Sequence, residues 1–584
     1  MGTHVLQEPT PAYFSTAEYL HKKFRLSASP SLELDFGRHG KFDSGIPRDS
    51  PCSESLFTDD DAKEKEDAEV EYVHGWRLFG LMMAMTLATF LVLLDMSIIV
   101  TAIPHITTYF HSLYDVGWYG AAYNLSSASL QPLSGKFYTH FRTKWTFLAF
   151  LLLFQVGSLI CGAASSSTMF ILGRAVAGLG SAGLQNGAFA IIAAAAPLEK
   201  RPALMGMVMG GCQVGLVAGP LVGGALTEYA SWPWCFYINL PLGGLAALVI
   251  TLVAIPDRRV RIPGSTWAIV GRKFDLPGFA LFAPWAVMIL LALQYGGTTH
   301  PWTSATVIGL LVGGAATLGV FVLWEKRAGD NAMVPPSIVR KREIWTACLT
   351  MAFLFTALFG SSYYLPIYFQ SVKGATPFQS GLSILPSILT QLVFAVASGF
   401  MVQRVGYYLP FAVASAVIVT IGSGLLATLD PLTPPAVWVG YQIFVGAGRG
   451  LGMQIAVIAI QANAPPPLVA IATSTMVFCQ TFSGAMFIAV ANTIFTGRLR
   501  TELTTRIPSM SAEDIVKAGA AGVRDAVEPA FLAAAQMSYS KAFQSVFHFV
   551  AGLTVCMFFA AWGIGWKDIR RKNERHLNDA RRET

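Results

Sequence analysis

The chain has 584 residues, of which 53% are hydrophobic and 13% are charged, and its mean hydropathy is +0.51. Soluble globular proteins carry about 25% charged residues, so this composition argues against a water-soluble multidomain enzyme. The net charge of +7 would suit a nucleic-acid partner, but basic loops at a membrane face give the same sign. The positions of the charges along the chain therefore have to distinguish a nucleic-acid partner from a membrane face.

The first 76 residues contain eight Lys or Arg and fifteen Asp or Glu, a net charge of −7. They show little hydrophobic periodicity, and the run 59–71 is largely polar, which is typical of a disordered segment. No short apolar stretch with a small-residue cleavage site begins the chain, so we expect no secretory signal peptide. Residues 1–76 are therefore predicted to be a disordered cytoplasmic tail.

Fourteen apolar stretches follow this tail, and each approaches the roughly 20 residues that a helix needs to cross a bilayer. We therefore predict an all-α polytopic membrane protein. The predicted spans are 78–103, 117–138, 145–165, 169–195, 203–226, 235–255, 277–296, 305–324, 345–369, 380–403, 408–428, 436–461, 470–497 and 544–566.

The basic residues between the spans predict the orientation. With the N-terminus inside, the inner loops up to the thirteenth span hold sixteen Lys or Arg, whereas the outer loops hold Lys373 and six more in the long loop 498–543. Basic residues concentrate on the cytoplasmic side, so both termini are predicted to be cytoplasmic, in agreement with the basic tail 567–584. Because this asymmetry explains the positive charge, we expect no nucleic-acid partner.

A repeated pattern divides the spans into two halves. Gly178-Leu179-Gly180 and Cys212-Gln213 recur 268 and 267 residues later as Gly446-Ala447-Gly448 and Cys479-Gln480. The fourth span then corresponds to the twelfth, and such parallel repeats are typical of transporters that rock about a central site. The predicted parts are a six-helix bundle over 77–256, two inserted helices with basic flanks over 257–342, and a second six-helix bundle over 343–566.

Four motifs resemble those of one transporter family. Over residues 77–566 the chain resembles the major facilitator superfamily, specifically its fourteen-span drug:proton antiporters, and most closely the fungal pumps that export toxins and other secondary metabolites. The resemblance implies the major facilitator fold. The motifs are Leu94-Asp95-Met96-Ser97-Ile98-Ile99-Val100, Gly173-Arg174-Ala175-Val176-Ala177-Gly178, Gly215-x-x-x-Gly219-Pro220-x-x-Gly223-Gly224 and Phe236-Tyr237-Ile238-Asn239-Leu240-Pro241-Leu242-Gly243.

Asp95 is the one carboxylate that lies deep inside a predicted span. It precedes Pro104, at the outer end of that span, by nine residues, or about 14 Å of helix. An acid at that depth is costly when ionised and is functional by default. We therefore expect Asp95 to load and release a coupling proton; the alternative is that it orders the helix by hydrogen bonding or pairing.

Arg174 lies about five residues into the fourth span, within several ångströms of Asp95 in depth. We expect it to stabilise ionised Asp95 or another interior acceptor, and the resemblance implies that an arginine here takes part in proton handling. Ala177 replaces the family's glutamine, which argues against a relay through that amide. The alternative is a packing arginine bonded to the backbone.

The fifth-span motif has a direct mechanical interpretation. Gly215, Gly219, Gly223 and Gly224 lack side chains, so another helix can approach closely, and Pro220 can bend the helix into a gate. By resemblance this segment is the antiporter motif, which is associated with export rather than uptake. Close packing alone would also explain the glycines.

The loop after the second span departs from the family pattern. The family places an acid there that latches the inward side, but this chain has Thr139 at that position, between Lys136 and Arg142. An acid-based latch is therefore not expected. The basic residues are predicted to cap helix C-termini or to lie at the membrane surface.

By resemblance, the first, fourth, ninth and twelfth spans line a central cavity. This implies Gln185, Tyr363, Gln370, Tyr441 and Gln442 as lining residues. Amides and tyrosines among apolar side chains suit a bulky, weakly polar compound. Arg449, the only other deep basic residue, is predicted either to bind an anionic substrate group or to pair with carbonyls.

The sequence thus predicts a proton-coupled exporter of amphiphilic organic compounds, working by alternating access as a monomer in the plasma membrane or the vacuolar membrane. Its expected partners are protons, a small-molecule substrate and lipid, and we expect no metal, cofactor or enzymatic activity. Two alternatives are a proton-coupled siderophore transporter and a non-transporting membrane sensor. No nucleotide-binding P-loop is present, which argues against ATP as the energy source.

Overall fold

The computed structural model of the chain describes residues 72–111, 115–256, 273–296, 300–516, 523–524 and 527–570. The predicted N-terminal tail up to residue 71, the basic loop 257–272 and the C-terminal tail from residue 571 lie outside these residues. The described part is helical and contains no β-strand, only two isolated bridges.

The long helices are numbered α1 to α14 in chain order. A short helix, Trp234–Tyr237, precedes α6, and another, Ile455–Asn463, continues α12 after a turn. The helices are α1 Gly75–Phe110, α2 Val116–His140, α3 Thr143–Gly162, α4 Ser167–Ala195, α5 Arg201–Tyr229, α6 Asn239–Leu252, α7 Leu276–Tyr295, α8 Ala305–Ala328, α9 Arg342–Ile367, α10 Pro377–Val405, α11 Leu409–Leu426, α12 Pro435–Gly452, α13 Val469–Arg506 and α14 Leu532–Trp562.

In the described residues, thirteen helices are long and apolar enough to cross a membrane. The predicted second span, α2, has sufficient length at 25 residues but is more polar. Its polar side chains face α4, where Ser181 donates to Ser127 Oγ (3.1 Å) and Asn186 donates to Ser134 Oγ (3.3 Å). The predicted count of fourteen is therefore approximate, and α2 is the helix that separates it from thirteen.

The two predicted halves pack in the same way. In the first half α1 packs on α5, α2 and α3 pack on α4, and α6 packs on α1 and α3. In the second half the helices eight positions later make the same pairs, with α9 on α13, α10 and α11 on α12, and α14 on α9 and α11. The shift of eight helices inferred from the repeated motifs is thus seen directly in the packing.

The halves meet along two seams, where α5 packs on α10 and α2 packs on α13. The inserted helix α7 lies at the second seam, against both α2 and α13, and α8 packs mainly on α7. Aromatic rings join α7 to α13, with Phe282 and Phe478 centroids 4.9 Å apart and Trp285 and Phe482 centroids 5.3 Å apart. The inserted pair therefore covers one of the two seams.

The first and the last described residues of the chain lie at the same end of the helix bundle, where hydrogen bonds hold them. Val73 N donates to Ala195 O (3.0 Å), close to Arg201, whose Nη1 donates to Gln461 Oε1 (3.2 Å). Lys567 Nζ donates to Asn463 Oδ1 (3.1 Å) in that same layer. We call this the basal end, and it is the end that the sequence predicts to face the cytoplasm.

The segment that connects α13 to α14 is shorter than the predicted outer loop 498–543. Helix α13 continues to Arg506, because Leu499 and Leu503 are buried one turn apart, and α14 already begins at Leu532. Charged side chains can follow an apolar span without ending its helix when i, i+4 pairs support it, as Arg498 does with Glu502 (2.8 Å).

The seam between α5 and α10 depends on glycine. A Cβ added to Gly399 would lie 2.5 Å from Pro202 O and 3.0 Å from Ala203 Cα. We predict that Gly399→Val lowers the thermal unfolding midpoint by several degrees, because overpacking costs about 1–3 kcal/mol. The measurement is a thermal melt of the purified protein in detergent.

Gly381→Val is the matched control, because Gly381 lies in the same helix and a Cβ there would meet no atom within 4 Å. We expect its melting curve to overlay that of the wild type. Equal midpoints for the two valine variants would show that the seam does not need a bare backbone at residue 399.

Candidate functional site

A buried ion pair lies inside the first half. Arg174 Nη1 lies 2.5 Å from Asp95 Oδ2, and each side chain is 1% exposed. The pair joins α1 to α4, which the sequence analysis placed at the same depth. The two predicted proton-coupling residues are thus in contact, whereas their role in proton transfer stays a prediction.

Neutral groups complete the surroundings of the pair. Arg174 Nε donates to Tyr119 O (2.9 Å), and Asn239 Nδ2 donates to Asp95 Oδ1 (3.2 Å) and to Ser158 Oγ (3.1 Å). Gln155 Nε2 in turn donates to Asn239 O (2.9 Å). Each charge therefore has one ionic and one neutral partner, which offsets part of the cost of removing both from water.

The glycines of α5 set the position of α1 and hence of Asp95. A Cβ on Gly215 would lie 2.5 Å from Phe90 O, and one on Gly219 would lie 2.8 Å from Ile98 N. Gly223 is equally close, with Ile98 O at 3.0 Å, whereas Gly224 has no atom within 4 Å. Three of the four predicted glycines thus serve close packing against α1; the side chain of Pro220 lies outside the described residues.

A cavity of about 140 Å³ lies between the halves. Drug-sized ligand sites measure roughly 300–1,000 Å³, so a bulky compound requires the cavity to widen. Its walls are mostly apolar, with a few amides and hydroxyls. The polar lining residues are Thr89, Tyr123, Asn124, Ser127, Ser181, Gln185, Gln213, Ser362, Tyr363, Gln480 and Thr481, and the apolar ones include Met96, Leu290, Phe355, Phe359 and Met453.

Two of the residues expected in the cavity, Gln185 and Tyr363, line it. Gln370 lies half-buried in a π-helical turn after α9, and Tyr441 is partly buried against the main core. Gln442 is fully buried and donates to Ser383 O (2.9 Å). These three do not line the cavity in the described conformation, and their contact with a substrate stays a prediction.

Arg449 is also buried, at 3% exposure, one helical turn before the lining residue Met453. Its guanidinium donates to Ser387 Oγ, and its Nε has no hydrogen-bond partner in the described residues. No carboxylate of the described part lies within 4 Å of it. The sequence left two roles open for Arg449, binding an anionic substrate group or pairing with backbone carbonyls. Its contacts within the described residues do not include a backbone carbonyl.

The sequence analysis missed Tyr123, Ser127 and Ser181, which line the cavity on the first half. A signal was present, because Tyr123, Ser127 and Gln131 recur every four residues and define one polar face of α2. The family resemblance implied other spans as the cavity wall, so it did not point to this polar face of α2.

The predicted loop after the second span is the last turns of α2, which extends to His140, and this end of the helix docks on the inserted helices. Thr139, which stands where the family has an acid, donates to Gly135 O (2.8 Å), and Lys136 Nζ donates to Lys273 O (3.0 Å) and Asn331 O (2.8 Å). Nearby, Asp275 and Glu325 both accept from Met333 N, at 2.9 and 3.0 Å. Lys136 thus joins α2 to the inserted pair through carbonyl groups at the basal end.

Comparisons with known proteins identify the family. The sequence model of the Major Facilitator Superfamily matches residues 85–488. The chain is 50% identical over 500 residues to the MFS-type transporter pigP of Monascus ruber, covering 85% of this chain and 88% of the relative. It is 48% identical over 533 residues to the efflux pump mlcE of Penicillium citrinum, covering 90% and 96%. The solved proton:xylose symporter XylE shares the fold, with a TM-score of 0.56, 14% identity, and 84% and 96% of the two chains covered.

The buried pair predicts a double-mutant cycle. We expect Asp95→Asn and Arg174→Met each to lower the free energy of unfolding by about 3–5 kcal/mol, because a lone charge stays buried. The double variant should lose less than the sum of the two, since it leaves no charge behind. Unfolding by SDS in mixed micelles measures all four proteins.

Arg500→Met supplies the control. Its guanidinium lies 3.6 Å from Glu513, and both side chains are more than half exposed, so solvent screens that pair. We expect the control to change the stability by less than about 1 kcal/mol. Simple additivity of the two buried substitutions would show that Asp95 and Arg174 do not stabilise each other.

Proposed function

Because this chain belongs to the major facilitator superfamily, we propose that it is a proton-coupled antiporter that exports amphiphilic organic compounds such as toxins, secondary metabolites or drugs. The family is one of transporters, and the chain is accordingly a multi-pass integral membrane protein and not an enzyme. The direction of transport is supported by relatives that are named as efflux pumps, among them mlcE.

The observation that carries the proposal is the Asp95–Arg174 pair, buried beside a cavity that both halves line. Ionised Asp95 is stabilised by Arg174 and Asn239, and a protonated Asp95 would release the guanidinium from its ionic partner. Protonation therefore changes the contacts between α1 and α4. If the two conformations of the bundle differ in those contacts, the proton shifts the population between them.

The described conformation is closed at the basal end. There α5 and α10 touch through glycine, with Ala395 O at 2.5 Å from a Cβ on Gly206, and a Cβ on Gly135 would lie 2.8 Å from Ile471 Cα in α13. Alternating access requires these basal contacts to separate so that the compound enters from the cytoplasm. The pseudo-symmetric packing of α5 on α10 and of α2 on α13 supports a rocking motion of the two halves.

The lining of the cavity supports the substrate class. Apolar side chains bury the body of an amphiphile, and Gln185, Gln213 and Gln480 offer amides to its polar groups. Arg449 adds a buried cation that has no carboxylate partner in the described residues and lies one turn from the lining residue Met453, which suits compounds that carry an anionic group.

The orientation and location complete the proposal. We infer that the basal end faces the cytoplasm, and both termini with it; the basic residues at that end support this orientation by the positive-inside rule. The protein acts as a monomer in the plasma membrane, with the vacuolar membrane as the alternative site, and the coupling ion is the proton.

Asp95→Asn tests the coupling. We predict that a drug-sensitive host expressing the wild type grows in the presence of toxins that stop the host expressing Asp95→Asn, at equal protein levels in the membrane. Asparagine cannot exchange a proton, so active export is lost. Growth curves across a toxin panel, with immunoblots of membrane fractions, measure this outcome.

Glu513→Gln is the matched control, because the Glu513 side chain is 64% exposed and pairs only weakly with Arg500. It should confer the same resistance as the wild type. Equal resistance from the Asp95→Asn and wild-type proteins would remove Asp95 from the mechanism.

Arg449 predicts a preference for anionic compounds. We expect Arg449→Gln to weaken the binding of 7-diethylaminocoumarin-3-carboxylic acid about tenfold, because a charge-assisted hydrogen bond is lost, and to leave the binding of its ethyl ester nearly unchanged. Arg449→Lys keeps a cation and should retain part of the preference. Fluorescence titration of the purified protein measures each affinity, and equal losses for acid and ester would contradict an anion contact.

A further inference from the structure

Tyr123 both lines the cavity and lies against the guanidinium of the buried pair. Its ring centroid is 4.5 Å from Arg174 Cζ, and the residue belongs to the cavity wall formed by α2. Asp95 and Arg174 themselves do not line the cavity. Whatever links the contents of the cavity to the pair must therefore cross a neighbouring side chain, and Tyr123 is in contact with both.

The ring of Tyr123 stabilises the charged pair. A cation held over the face of a tyrosine ring is attracted by the ring quadrupole, and the attraction is greater where water is excluded. Tyr123 is 2% exposed and Arg174 is 1% exposed, so this contact is dry. Phe236 approaches the same guanidinium less closely, at 6.0 Å.

The hydroxyl of Tyr123 is available for a ligand. It is buried and makes no hydrogen bond within the described residues. The nearby Ser181 hydroxyl, which bonds to Ser127 Oγ (3.1 Å) and Gly178 O (2.8 Å), interacts with the Tyr123 hydroxyl without reaching hydrogen-bond geometry. A buried hydroxyl without a partner is costly, and a polar group of a bound compound would relieve that cost.

We propose that Tyr123 couples the cavity to the Asp95–Arg174 pair: its hydroxyl hydrogen-bonds to a polar group of the transported amphiphile, and its ring transmits occupancy to Arg174. This inference rests on the proposed proton-coupled export. A compound packed against Tyr123 holds the ring over the guanidinium and so keeps Arg174 against Asp95, which favours the ionised carboxylate. Binding of the compound therefore expels the proton from Asp95, as exchange requires.

Thermodynamic linkage makes the effect reciprocal. If a bound compound favours the release of a proton, then protonation weakens the binding of the compound by the same factor. Tyr123 is thus a positioning residue for proton exchange. Removing its ring should uncouple compound binding from proton release, while the cavity and Asp95 both remain.

Few other titratable groups face the pair. Besides Tyr123 from α2, the thiol of Cys161 from α3 interacts electrostatically with Arg174. The α6 region contributes the neutral Asn239 and Phe236, and α5 contributes the backbone of Gly215, which accepts a hydrogen bond from Ser97 on α1 (3.0 Å). Asp95→Asn identifies the group that responds, because it leaves the thiol and the tyrosine in place and should abolish the release of protons on binding.

The test uses the purified full-length protein and the ethyl ester of 7-diethylaminocoumarin-3-carboxylic acid, a neutral amphiphilic dye whose ester carbonyl can accept a hydrogen bond. Dye binding is followed by fluorescence anisotropy between pH 5 and 8, and proton release is followed with a pH indicator in weak buffer. We expect the wild type to release protons on binding and to bind the dye more weakly at low pH.

Two kinds of variant separate the ring from the hydroxyl. Tyr123→Phe should bind the dye about fivefold more weakly, as one lost hydrogen bond predicts, while its proton release per bound dye stays within about twofold of the wild type. Tyr123→Leu and Tyr123→Met should release at least fivefold fewer protons per bound dye and lose the pH dependence of binding. Normalising to bound dye counts only folded protein.

Tyr363 offers the matched control, since it lines the same cavity from α9 on the opposite half. Tyr363→Leu should alter dye affinity but keep the release of protons per bound dye. Full release from both Tyr123→Leu and Tyr123→Met would overturn the role of Tyr123 while leaving proton-coupled export standing. A wild type that binds the dye without releasing protons would instead contradict the coupling in the proposed function.

Discussion

The cost of placing two opposite charges inside an apolar bundle governs the first half of this protein. Asp95 and Arg174 have left water completely, and a charge without a partner there would cost several kcal/mol. The bundle compensates with short contacts from every side: an ion pair, the Tyr119 carbonyl and the Asn239 amide. This dependence of each charge on the other is the reason why we propose the pair as the coupling site.

Helix packing holds that site in place. Helix α1 can bring Asp95 against Arg174 only because α5 presents bare backbone at Gly215, Gly219 and Gly223 along the length of α1. In a membrane, where lipid is as apolar as the helices, such close contact is a main source of association. The glycine motif of α5 and the ion pair are therefore parts of one arrangement, since the glycines determine where the acid lies.

The cavity and the ion pair are neighbours without sharing a surface. The pair lies on α1 and α4 and is enclosed by α2, α3 and α6, whereas the cavity is bounded by both halves and by Leu290 of the inserted helix α7. Tyr123 lies between them. The inserted helices close the seam between α2 and α13 and contribute to the cavity wall, so they take part in shaping the site as well as in spanning the membrane.

The sequence by itself predicted the membrane class, the two-half plan and the similar depth of Asp95 and Arg174, because each depends on a one-dimensional pattern: apolar length, a repeat offset and a position along a span. Their contact was one of several possibilities, and the tertiary structure decided it. The tertiary structure decided which polar side chains face the cavity. Gln185 and Tyr363 do, whereas Gln370, Tyr441, Gln442 and Arg449 do not, although all lie in the spans that the family resemblance favoured. The reason is rotational: a residue's depth follows from its position in the chain, but the direction in which it points depends on the contacts that its helix makes with others. Those contacts also placed Tyr123 between the cavity and Arg174.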